Sequence, residues 1–168
     1  MKDMIYCQRD IPKEQWRYGF RSSAATGCGW IAVYNALHLM GLHEEPEALI
    51  QFFHRTLPLI HGNAGTMFWA PALYFLRRDF PIRMCNKPSQ YDDLAKEYDC
   101  CILYYHWRNK LRFGSHFVAL HHTEEGFIGY NTYSNSKGPD RYGPSLADFL
   151  KRRRYHGTIL LCIRKPAP

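Results

Sequence analysis

Residues 100–107, CCILYYHW, form an unbroken apolar and aromatic run. A run of this kind, bounded by polar segments, reads as a strand buried on both faces. Two further strands follow at once, SHFVALHH (115–122) and FIGYNTYS (127–134), separated by TEEG, so they pair as an antiparallel hairpin. PIRMCN (81–86) and TILLCIRK (158–165) supply a short strand and a closing strand. QYDDLAKEYD (90–99) and SLADFLKRRR (145–154) read as helices between them, and NSKGPDRYGP as a loop.

The first half obeys a different period. Residues 1–27 look irregular, punctuated by Pro12, Gly19 and Gly27. From Cys28 to Met40, Ile31, Tyr34, Leu37 and Leu39 recur near helical spacing, and Gly41 supplies a stop. A second helix covers Pro46 to Arg55. A third covers Met67 to Arg78, with Thr66 as its cap and Pro71 in its first turn. LPLIHGNAG (57–65) reads as a loop. Helices first and an antiparallel sheet afterwards give an α+β chain, with a helical part at about 20–80 and a sheet part at about 81–165. At 168 residues the chain, 1–168, is expected to form a single domain with a core that needs no disulfide staple.

Composition excludes more than it identifies. The six cysteines have no C-x-x-C pair, and no Gly-rich phosphate loop follows a strand, so neither a metal nor a nucleotide cofactor is expected. No stretch has the length and apolarity of a membrane span or a signal peptide, which makes a cytoplasmic location the expectation. The net charge of +7 and the run Lys151-Arg152-Arg153-Arg154 admit an acidic partner. The run sits where cations complement a helix C-terminus, and no nucleic-acid-binding signature accompanies it.

Chemistry is concentrated at ATGCGWIAVYNAL (25–37), where Cys28 stands between Gly27 and Gly29 and opens a helix. Unpaired N–H groups and the positive dipole end of a helix favour a thiolate and can hold an oxyanion. The flanking glycines would leave the thiol uncrowded for a substrate. A nucleophile of this type needs a base. His116 opens the strand SHFVAL beside Ser115, at a strand end. His121 and His122 end the same strand and read as surface or turn residues. The returning strand carries Asn131. With 118 opposite 130 as a trial register Asn131 is a diagonal neighbour of His116, and one residue away it stands directly opposite. In either register its amide oxygen would reach a ring N–H.

Taken together, Gln8 and Asp10 (Q-x-D), Trp16, Tyr18-Gly19, Gly27-Cys28-Gly29 and His116-Phe117-Val118-Ala119-Leu120 resemble the papain-like cysteine peptidases. The resemblance is closest to the bacterial group of bacteriocin-processing peptidases, and it runs from about Tyr6 to Ile163. It implies a papain-like fold, with a helical lobe packed on a C-terminal antiparallel sheet. It also implies Cys28 as nucleophile, His116 as general base and acid, Asn131 as the orienting residue, and a peptide or protein substrate cleaved through an acyl-enzyme. The sequence departs from the group's pattern at three points. Asn131-Thr132 stands where many members carry Asp-Pro, and Trp30 stands where many carry Pro, altering a nearby subsite. Ser22 occupies the position of the usual oxyanion glutamine, which leaves Gln8, with Gln15 in reserve, as its replacement. An acyltransferase with the same triad, or an inactive domain that binds peptides or cell-wall fragments, shares every one of these features. A basic nucleic-acid-binding module ranks behind them.

Overall fold

The computed structural model describes residues 4–55, 65–108 and 113–166. Most of the expected loop at 57–65 and the centre of the basic turn at 108–114 lie outside the described residues. The N-terminal segment is less irregular than its sequence suggests. A single 3₁₀ turn (Gln8–Asp10) precedes a short antiparallel pair, β1 (Arg17–Tyr18) and β2 (Arg21–Ser22). A four-residue helix, α1 (Ser23–Thr26), then leads through Gly27 into α2 (Cys28–Leu39). Next come α3 (Pro46–Arg55), α4 (Ala70–Leu76) and β3 (Ile82–Cys85), followed by α5 (Tyr91–Glu97), β4 (Cys100–Arg108) and β5 (Phe113–Thr123). The chain closes with β6 (Gly126–Tyr130), β7 (Asp140–Gly143), α6 (Leu146–Arg153) and β8 (His156–Ile163).

The strands from β3 onward form one six-stranded antiparallel sheet in the order β3-β8-β4-β5-β6-β7. The closing strand β8 therefore enters the sheet interior, between β3 and β4. Residues of β4 alternate between two cores. Cys100 and Ile102 pack with α2, α3 and α4, whereas Cys101, Leu103 and Tyr105 pack with α5 and α6. A strand covered on both faces explains the continuous apolar run. It also refines the expected arrangement, because two of the helices lie on the sheet face opposite the N-terminal ones.

Helix α2 is buried at every position from Cys28 to Leu37, so it has no polar stripe. Its one buried polar side chain, Asn35, accepts from the Ile5 N–H at 2.9 Å and donates to the Ile5 carbonyl at 2.9 Å. This two-point clasp fixes the N-terminal segment just ahead of Gln8.

Four local expectations are corrected. Helix α4 is capped by the backbone of Trp69 rather than by Thr66, whose hydroxyl donates to the buried Tyr18 oxygen at 3.1 Å. Residues 140–143, expected in a loop, add the edge strand β7. Strand β6 stops at Tyr130 instead of 134, because Asn131 takes a left-handed conformation (φ 63°). Left-handed backbone ends a strand, and Asn tolerates it better than other non-glycine residues. The hairpin register pairs Ala119 with Tyr130, so Asn131 lies past the ladder in neither trial position.

Candidate active site

The N-terminus of α2, the open end of β4 and β5, the chain leaving β6 and the segment around Gln8 surround one cleft of about 820 Å³. Cys28, His116, Asn131, Gln8 and Ser115 line it, as does Ser22. The backbone N–H groups of Phe117, Cys28 and Gly29 lie near the Cys28 sulfur and favour its charged form. The thiol thus rests against the strand residue that immediately follows His116. Burial opposes those donors and wins, pushing the Cys28 thiol up to about 11 from an ordinary 9.0. The helix terminus alone predicts the opposite sign. Here desolvation of the thiolate outweighs the dipole and the nearby N–H groups.

His116 is half-buried, and its Nε2 lies 2.6 Å from the main-chain oxygen of Asn131. A carbonyl can only accept, so Nε2 carries the hydrogen and the neutral ring keeps its lone pair on Nδ1. Burial holds the imidazole below its usual value, partly offset by that carbonyl. Burial thus favours the uncharged form of each group.

The side chain of Asn131 is turned elsewhere. Its Oδ1 accepts from the Gln8 N–H at 2.8 Å, and its Nδ2 donates to Gln8 Oε1 at 3.3 Å. Gln8 Nε2 in turn donates to the Ala24 carbonyl at 3.2 Å, on the turn that delivers Cys28. The expected amide-to-imidazole contact is thus replaced by a carbonyl-to-imidazole contact, and one residue joins Gln8 to His116. The reason is the left-handed turn at Asn131, which aims the carbonyl inward and the side chain at the N-terminal segment.

Three expected groove residues have other places. Trp30 is fully buried, with its Nε1 donating to Ser23 Oγ at 3.0 Å and its ring edge-on to Trp16. Gly27 and Gly29 are buried for packing instead of opening the thiol to substrate. A Cβ on Gly27 would lie 2.6 Å from the Ser23 carbonyl, and one on Gly29 would lie 2.5 Å from Thr66 Oγ1. Gln15 lines a separate depression with Cys7, Ile11 and Trp16, so it is not brought to Cys28. His121 and His122 pack on Tyr130 and Phe127 outside the cleft.

Other lining residues escape a reading by motif. Tyr105 and Trp107 stand opposite His116 and Gly114 in the β4–β5 ladder, and the Tyr105 ring stacks on Tyr155 at 4.1 Å. The period-two alternation of β4 would have found them once the register was known. Arg9, Lys13 and Tyr133 complete the rim. Of the basic run, Arg152 donates to the Tyr142 carbonyl at 3.0 Å and Arg153 covers the Tyr133 ring at 4.8 Å. Among the described residues no cluster of three His, Cys, Asp or Glu side chains could hold a metal ion. No helix among them is long and apolar enough to cross a membrane.

Comparison with protein-family models and with curated proteins finds no match. Among solved structures, the chain is similar to the peptidase domain of Streptococcus ComA, a bi-functional ABC transporter involved in a quorum-sensing pathway. The TM-score is 0.52 at 11% identity, over 82% of this chain and 91% of that one. At that identity the likeness establishes the fold: a papain-like peptidase architecture of mixed helices and an antiparallel sheet.

Proposed function

We propose that this protein is a cysteine peptidase or amidase that cleaves a peptide substrate through an acyl-enzyme on Cys28. One observation carries the reading. The Cys28 sulfur, beside N–H donors at a helix start, and the His116 ring, with its lone pair on Nδ1, line the same cleft in a fold shared with a peptidase domain.

With both groups neutral at rest, the proton leaves the thiol as the sulfur attacks the substrate carbonyl, and His116 Nδ1 receives it. The imidazolium so formed donates through Nε2 to the Asn131 carbonyl, whose dipole stabilises the charge. The tetrahedral oxyanion is held by N–H groups at the start of α2, with the Gln8 amide as a further donor once its bond to Ala24 is exchanged. His116 then protonates the leaving amine, giving a thioester, and the same imidazole activates water to release the acid. An acyltransferase differs only in the final acceptor. A second reading, a peptide-binding domain without turnover, is favoured by the raised Cys28 pKa, which leaves few thiolates at neutral pH.

The test is incubation with a mixed-sequence peptide library, followed by mass spectrometry. New termini in the wild type and none in Cys28→Ala support hydrolysis. An unchanged library would leave binding as the surviving reading.

A further inference from the structure

The cleft is electrostatically one-sided. Arg9 and Lys13 are both exposed on its rim, and none of its lining residues is Asp or Glu. Among the described residues neither cation takes part in an ion pair, whereas Arg78 and Arg141 do. Arg9 also follows Gln8, whose backbone and side chain are tied to Asn131 and Ala24. The backbone that carries Arg9 is thereby anchored beside the segment that leads to Cys28. The N-terminal segment gains a second anchor where Cys7 Sγ donates to the Ser134 carbonyl at 3.3 Å. A low-dielectric cleft lined by charges of one sign concentrates ligands of the other.

We infer that the cleft selects peptides carrying a carboxylate side chain within a few residues of the bond presented to Cys28, with Arg9 and Lys13 as specificity residues. This rests on the reading of the cleft as a peptide site. A residue of extended peptide spans about 3.3–3.6 Å, so an acidic side chain beside the attacked carbonyl meets the Gln8–Lys13 rim without distorting the chain. The half-buried Trp107 lines the same cleft and offers the rest of the peptide an apolar surface.

The experiment measures binding and does not depend on turnover. Capped octapeptides of Gly, Ala and Leu, with Glu walked through each position, are titrated calorimetrically into Cys28→Ala protein. The matched series carries Gln at the same positions. Two rim cations predict a preference for Glu of about tenfold at the best position, from the usual strength of exposed ion pairs, shrinking as salt is raised. The preference should vanish in Arg9→Gln/Lys13→Gln. It should persist in Lys87→Gln/Lys96→Gln, which removes the same charge from exposed positions between β3 and β4 that do not line the cleft. Glu-to-Gln ratios near one at every position would overturn the inference. So would a preference that survives loss of both rim cations, or one lost equally in the control pair. Because the assay uses an inert cysteine, the charge selectivity of the cleft is measured even if the chain never acylates.

Discussion

Replacing Asn131 separates its carbonyl from its side chain. Asn131→Gly keeps the carbonyl and suits the left-handed φ of 63°, while it deletes the two-point clasp on Gln8. Asn131→Val deletes the same clasp and adds a β-branched side chain at a φ it resists. Losing two hydrogen bonds costs about 1–3 kcal/mol. Left-handed backbone costs a further ~1–2 kcal/mol for a residue other than Gly or Asn. Urea unfolding should therefore rank wild type above Asn131→Gly and Asn131→Val lowest, with the two variants about 1–2 kcal/mol apart. The functional contrast should be larger. In Asn131→Gly, His116 keeps its Nε2–H tautomer, so acylation of Cys28 by an activated peptide ester should slow by less than about tenfold, through the loosened Gln8. In Asn131→Val the carbonyl is displaced, and the loss should be on the order of a hundredfold, the low end of what a positioned base supplies. Nitrogen NMR of labelled histidine reads the tautomer directly, independent of activity. If Asn131→Gly and Asn131→Val lose tautomer and rate alike, the orienting group is the side-chain amide and the carbonyl assignment is wrong.

Two other outcomes follow from the same geometry. Alkylation of Cys28 by iodoacetamide should be slow at neutral pH, with a thiolate fraction on the order of one in ten thousand, and should climb about tenfold per pH unit toward 11. Because the folded thiol keeps its proton above the ordinary value, its share of stability is complete below pH 9. About 3 kcal/mol is lost as pH rises toward 11, a slope that should be missing from Cys28→Ala when urea melts are compared across that range. Separately, Gly29→Ala should destabilise by roughly 1–3 kcal/mol in thermal or urea melts, since its Cβ would lie 2.5 Å from a Thr66 side chain that is buried and bonded to Tyr18.

The elements dominated by periodicity were legible before any coordinates. The buried run at 100–107, the hairpin after it and the helices opening at Cys28 and Pro46 all stand where their patterns indicate. The order of those elements gave an α+β chain, and the papain-like architecture came from the resemblance that a few short motifs carry. What the sequence did not disclose depends on contacts between distant segments. The hairpin register was one residue from the observed one, and the left-handed turn at Asn131 then sent its carbonyl, rather than its amide, to His116. Trp30 reads as altering a subsite from its place in the family's pattern, and that pattern does not reveal that α2 is buried at every position from Cys28 to Leu37. The sign of the Cys28 shift could not be read from the helix start, since desolvation is set by what packs over the thiol. Arg9 and Lys13 carried no motif, and their place on the rim depends on the Gln8–Asn131 clasp.

The most direct test of the central claim is a rapid-mixing measurement of Cys28 acylation by a p-nitrophenyl peptide ester, with intact mass identifying the adduct. The account predicts a burst of nitrophenol matched by one acyl group on Cys28, absent in Cys28→Ala and slowed at least a hundredfold in His116→Ala. Acylation of Cys28 at the same rate with and without His116, or no adduct in the wild type, would contradict it.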